Sequence, residues 1–248
     1  MPQSEWGTVE LKDHFAGPEI PVEGTGAYAA TTGRTIAIGP FRVTGDLAES
    51  DTGVVAIDKA GGFIRISGND EDGKGVFIGT GVVLSPSLNG PLVLETRLEL
   101  AALTARNVFA GFMSLNADDV AEPVTATGTT LTLTATVLAG WLLDSQLTSG
   151  TEWHMPYNGG TATGPTASND VDSDIVAVAA ESDILRVEID ANGTVRWYIN
   201  GDLKATVANA VSTTTLLAAG VGCWGTTTTA ADADLDFLLV RYSTDWTR

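Results

Sequence analysis

The stretch Leu185-Arg186-Val187-Glu188-Ile189-Asp190-Ala191-Asn192-Gly193-Thr194-Val195-Arg196-Trp197-Tyr198-Ile199-Asn200-Gly201 decides the fold. Leu185, Val187 and Ile189 alternate with Arg186, Glu188 and Asp190, and the alternation resumes at Val195, Trp197 and Ile199. A period of two with one apolar and one polar face marks antiparallel strands that bury one side. Asn192-Gly193 and Asn200-Gly201 punctuate the runs. Asn-Gly between alternating strands favours a type I′ hairpin, whose central residues both need positive φ. Two such turns predict a three-stranded meander across 184–207.

Working outward, Leu92, Leu94, Leu98 and Leu100 share one face of a strand, and Glu95, Arg97 and Glu99 the other. Strand signals continue over 62–66, 76–84, 107–115, 129–138, 139–144, 151–157, 194–200, 203–207, 216–224 and 233–242, many of them rich in β-branched and aromatic residues. In the last of these, Leu235, Phe237 and Leu239 fall on one face, with Leu238 and Val240 on the other. That pattern predicts cover on both sides, by a second sheet and by an arm or neighbour. Ala101–Arg106 has room for one helical turn, and 158–174 lacks periodicity and reads as a long surface loop. Residues 1–45 carry Pro2, Pro18, Pro21 and Pro40 among many glycines. They read as an extended N-terminal arm ahead of a sandwich over 46–248. The fold class is all-β: an antiparallel two-sheet sandwich.

The 248 residues carry 31 Asp and Glu against 13 Lys and Arg, a formal charge of −18. Nucleic-acid binding needs a basic stripe, so it is excluded, and anionic membrane surfaces are disfavoured. No apolar run approaches the roughly 18–20 residues of a membrane span. Met1–Trp6 shows no basic or apolar leader, so the expected setting is a cytoplasm. Cys223 is the single cysteine, which leaves no disulfide framework within the chain and no Cys-x-x-Cys metal pattern.

The chemistry-bearing patterns are incomplete. Glu188-Ile189-Asp190 is similar to the Glu-x-Asp-x-Glu strand of jelly-roll glycoside hydrolases, but Asn192 stands in the third place. A retaining mechanism needs two carboxyls about 5–5.5 Å apart, and the last one is missing. His14 and His154 are the only histidines, and no Gly-x-Ser-x-Gly elbow accompanies them. Gly24-Thr25-Gly26-Ala27-Tyr28-Ala29 has neither the strand before it nor the helix after it that a phosphate loop needs. No catalytic residue and no cofactor are expected. Asp170, Asp172 and Asp174 alternate in the predicted loop and form a weak calcium candidate, with Ile175 where an EF-type loop needs glycine. Asp232, Asp234 and Asp236 are expected to face water. Trp141, Trp153, Trp197 and Trp224 fall in predicted strands, as core. Trp6, Phe15, Tyr28, Phe41 and Trp246 are the candidate interaction residues, large aromatics in the arm and near the end of the chain.

Residues 90–242 resemble the concanavalin-A/LamG-like jelly rolls, especially those of tailed-bacteriophage virion proteins. The hairpin pair at 185–201 carries the resemblance, with Leu94–Leu98, Val108–Phe112, Gly140–Asp144 and Leu235–Val240 in support. The resemblance implies a non-enzymatic capsid decoration (cement) protein on the virion surface, assembled in the host cytoplasm. Its implied partners are the major capsid protein and other copies of itself, with a trimer favoured. The alternative is a lectin-like, carbohydrate-binding module of a fibre or host-recognition protein, with a glycan as partner.

Overall fold

A computed structural model describes residues 7–16, 36–45, 53–68, 72–116, 121–229 and 231–244. In chain order its strands are β1 (Thr8–Asp13), β2 (Ile36–Ile38), β3 (Phe41–Gly45), β4 (Gly53–Ala56), β5 (Ile64–Ser67), β6 (Gly75–Gly79), β7 (Leu92–Glu99), β8 (Arg106–Met113), β9 (Val124–Thr127) and β10 (Thr130–Leu133). They continue as β11 (Leu138–Asp144), β12 (Glu152–His154), β13 (Tyr157–Asn158), β14 (Asp172–Val176), β15 (Ser182–Ile189), β16 (Val195–Ile199), β17 (Asp202–Val207), β18 (Ala218–Gly225) and β19 (Asp232–Ser243). One short helix, α1 (Pro86–Asn89), precedes β7. No helix of the described residues is long and apolar enough to cross a membrane.

The strands form two large antiparallel sheets. Sheet I runs β17-β16-β15-β7-β19-β5-β4, with β1 also on β19; sheet II runs β14-β12-β11-β8-β18-β6-β3-β2, with β13 on β11. The predicted meander is β15-β16-β17, with Leu185 opposite Ile199 and Val187 opposite Trp197. Asn200 and Gly201 both have positive φ, 52° and 89°, as a type I′ turn requires. The other turn differs. Only Gly193 has positive φ there, and the Asp190 N–H donates to the Thr194 carbonyl at 2.8 Å across a three-residue loop. The Asn192 Oδ1 accepts the Thr194 N–H at 3.1 Å, which gives its side chain a local partner without a left-handed backbone.

The inner faces of the sheets are joined by more than apolar contact. The Trp197 indole N–H, from sheet I, donates to the Gly140 carbonyl of sheet II at 2.8 Å. The Trp141 indole N–H, from sheet II, donates to the Arg186 carbonyl of sheet I at 3.1 Å. Each ring buries its full area in the core and still satisfies its polar tip.

The centre of sheet II is buried on both faces. Every residue of β8, β11 and β18 is buried. Alternation from the inward-facing Trp141 puts Asp144 and Leu142 on the outer face, opposite Asn107 and Phe109 of β8. The β9–β10 segment lies against this face, with the Asn107 amide donating to the Val124 carbonyl at 2.7 Å. Glycine makes the close packing possible: a Cβ on Gly140 would sit 2.4 Å from Cζ of Phe109, whose ring lies across it.

Several expectations change. The boundary drawn at residue 45 does not divide an arm from a sandwich, because β1 belongs to sheet I and β2 and β3 to sheet II. These strands are three to six residues long and sit among prolines and glycines that hide their alternation. In β19 the register shifts between Leu235 and Phe237. This bulge puts Leu235 inward with Leu238 and Val240, while Phe237 and Leu239 face outward, half-buried. Phe237 is covered by the chain itself, with the His14 ring 5.8 Å away and Lys12 over its face. Asp234 does not face water but is buried beside Arg65, at 2.8 Å. Residues 101–106 form no helical turn, and β14 extends through what reads as loop.

Beneath the β9–β10 segment lies a pair of buried carboxyls. Burial pushes Glu122 up from 4.5 to about 8, and the carboxylates of Asp144 and Asp72 add to the rise. Burial likewise raises Asp144 from 3.8 to about 6, against the lowering effect of the Gln146 N–H and the Asn107 amide. A buried Oε1 of Glu122 has no hydrogen-bond partner.

Gly140→Ala should cost about 1–3 kcal/mol in chemical denaturation, because Phe109 must leave its place on the sheet. Both carboxyls favour the protonated form when folded, so their contribution is complete below the unfolded values near pH 4. It falls as pH rises through about 6 and 8. Thermal midpoints should therefore drop over that window, by up to about 1.4 kcal/mol of stability per pH unit for each titrating group. Glu122→Gln should flatten the upper part of the curve; melting curves that stay parallel to wild type across it would contradict this reading.

Candidate functional site

The outer face of sheet I holds a depression of about 430 Å³ lined by Glu95, Ile184, Arg186, Glu188, Tyr198, Asn200 and Gly201. Strand register assembles it. Arg186 of β15 lies opposite Glu95 of β7 on one side and Tyr198 of β16 on the other. Glu188 is two residues along β15, on the same face. The type I′ turn at Asn200-Gly201 closes one end.

The side chains hold one another in place. The Arg186 guanidinium donates to Glu95 Oε2 at 3.4 Å and to Glu188 Oε1, and it lies 5.6 Å from the Tyr198 ring centroid. The Tyr198 hydroxyl donates to Glu188 Oε2 at 3.4 Å. Burial, then the Glu188 carboxylate, holds that hydroxyl above its ordinary pKa. Asn200 accepts the Ile184 N–H at 2.9 Å and donates to Asp183 Oδ1 at 2.9 Å. Asp183 Oδ2 in turn accepts the indole N–H of the buried Trp153 at 2.9 Å, which ties the rim to the core. A concave, partly buried surface with charged acceptors and an aromatic ring can receive a polar ligand rich in hydrogen-bond donors.

The residues singled out from sequence fall in different places. Glu188 is on the outer face, as alternation places it, while Asp190 is tied to Arg196 at 2.7 and 2.9 Å. The calcium candidate does not assemble. Asp170 ends a 3-10 turn, and Asp172 and Asp174 lie in β14. A strand spreads alternate residues by about 6.6 Å instead of wrapping them round an ion. Asp172 hydrogen-bonds Glu152 and raises that carboxyl. Among the described residues, no group of three or more His, Cys, Asp or Glu is placed to hold a metal ion. Phe15 and Phe41 are 2% and 1% exposed, packed in the chain's own core instead of presented as anchors. Trp6, Tyr28 and Trp246 lie outside the described residues.

Trp141, Trp153, Trp197 and Trp224 are fully buried and offer no ring to solvent. Cys223 is buried, and burial pushes its thiol up to about 12, far from a nucleophile's range. His154 is buried against Ser149. Sequence reasoning passed over Arg186, Tyr198 and Glu95 as a group. Their alternation was visible, but the register that juxtaposes three strands was not.

No protein-family model matches the chain, and no curated protein matches it significantly by sequence. Solved structures match it along most of its length. A protein of unknown function, SO2946 from Shewanella oneidensis MR-1, is similar with a TM-score of 0.60 at 9% identity, over 100% of this chain and 92% of that one. The carbohydrate recognition domain of Emp47p gives 0.50 at 11% identity, over 92% and 97%. A prokaryotic β-1,3-1,4-glucanase (lichenase) derived from a mouse hindgut metagenome gives 0.50 at 11% identity, over 95% and 99%. What this chain shares with them is a fold, the concanavalin-like jelly-roll sandwich.

Proposed function

We propose that the chain is a lectin-like, carbohydrate-binding module whose ligand sits in the depression on sheet I. The observation that carries this reading is the convergence of Tyr198, Arg186, Glu95, Glu188 and Asn200 in one concave patch. Sugars present hydroxyls that need acceptors and apolar ring faces that need an aromatic or aliphatic surface. The cleft supplies the first through its carboxylates and the second through Tyr198 and Ile184. The fold is one on which a carbohydrate recognition domain and a glucanase are both built, though fold alone does not assign a function.

Binding without cleavage is the better reading of the carboxyls. Glu95 and Glu188 both pair with the same guanidinium, which suits recognition better than proton transfer. Glu122 and Asp144, whose pKa values burial raises, are buried and do not line this depression. The capsid-decoration expectation draws no support from these comparisons. Two of its proposed anchors, Phe15 and Phe41, are engaged in the core.

Isothermal titration against a panel of oligosaccharides tests the proposal. At least one should bind, and Tyr198→Ala should weaken it by about tenfold or more (roughly 1.4 kcal/mol) without unfolding the chain. A panel without binders, or full affinity in Tyr198→Ala, would overturn it.

A further inference from the structure

We infer that the depression selects a sugar carrying a protonated amine over the same sugar in N-acetylated or acidic form. This rests on the carbohydrate reading above and adds the charge class of the ligand. Arg186 is the only cation among the residues lining the depression, and two carboxylates, Glu95 and Glu188, already engage it. A ligand carboxylate or sulfate would have to share this one guanidinium with two anions already against it. An ammonium meets no such competition.

The surroundings add to the imbalance. Asp183, at the rim, is held by two neutral donors, the Asn200 amide and the Trp153 indole, so those bonds leave its charge in place. Among the cations on neighbouring strands, Arg196 pairs with Asp190 at 2.7 Å and Arg97 with Asp236 at 3.0 Å, and the exposed Arg241 has Glu10 opposite it in register. Glu95, Asp183 and Glu188 against Arg186 leave two negative charges in excess around the cleft. Glu188 is only 18% exposed in its side chain, so solvent screens its field less than that of a free surface carboxylate. An ammonium also brings three donors to an acceptor-rich wall, where an N-acetyl group brings one donor and an acceptor.

The test uses the whole chain at physiological salt and three short ligands: a glucosamine trisaccharide, its N-acetylated form and a trigalacturonate. The amine should bind about tenfold tighter than the N-acetylated sugar, with the uronate weakest. In wild type, this preference should vanish as pH passes the amine's own pKa. Glu95→Gln with Glu188→Gln should bring the ratio near one, with the fold checked by melting. Because the chain is strongly acidic overall, a control removes two exposed acids elsewhere. Asp72 ahead of β6 and Asp170 ahead of β14 are exposed and belong to sheet II, so Asp72→Asn with Asp170→Asn should keep the ratio.

Equal affinity for the amine and N-acetyl forms would overturn this inference and leave the carbohydrate reading standing. Loss of the ratio in the control pair would also overturn it, by assigning the preference to general charge. If no saccharide of any class binds, both readings fall together.

Discussion

Gly140 is where the two sheets and the outer cover of sheet II meet. Its carbonyl accepts the Trp197 indole from sheet I, and its missing side chain is the space that the Phe109 ring occupies. The next residue, Trp141, reaches back to the carbonyl of Arg186. One dipeptide thus fixes the spacing of the sandwich, admits an aromatic layer on the far side, and pins the backbone of the residue at the centre of the cleft. Arg186 can hold its side chain between Glu95 and Glu188 because its main chain is anchored from below. The site on the surface is a consequence of tryptophan placement in the core.

The two sheets treat their outer faces differently. The centre of sheet II has its outer face buried, so its strands there read as runs of small and apolar residues, as in Ala218–Gly225 and Leu138–Gly140. Sheet I keeps its outer face wet and covers it with ion pairs: Arg65 with the buried Asp234, Arg97 with Asp236, Lys59 with Glu99. A surface pair such as the last two is worth about 0–1 kcal/mol. Their larger effect is on organisation, since alternating charges keep the cations engaged by neighbours on a chain of net charge −18. The cleft is one stretch of this ladder, made concave by Tyr198 and the Asn200-Gly201 turn.

This contrast explains what the sequence could reveal. The meander at 184–207 was legible because each of its strands has one wet face and one dry face, and its turns carry Asn-Gly. Strands buried on both faces were legible as strands but not as doubly covered, since the cover comes from residues far along the chain. β1, β2 and β3 were missed because short edge strands with flanking Pro and Gly carry little periodicity. The bulge in β19 reversed the expected face of Leu235, because strict alternation assumes that no residue is inserted. The cleft residues were each visible as polar positions; what made them a site was three-strand register, which a single sequence does not encode locally.

The placement of carboxyls bears most directly on function. In this acidic chain, two kinds of environment separate them. Beneath the β9–β10 segment, Glu122 and Asp144 lose water without gaining a cation, and both shift toward the neutral acid. On sheet I, Glu95 and Glu188 retain partial exposure and share the Arg186 guanidinium through charge-assisted hydrogen bonds. The sandwich keeps these two environments on opposite sheets. The groups that line the depression are held in place by one another, and on the proposed reading such a surface would discriminate among sugars by charge and hydrogen-bond direction.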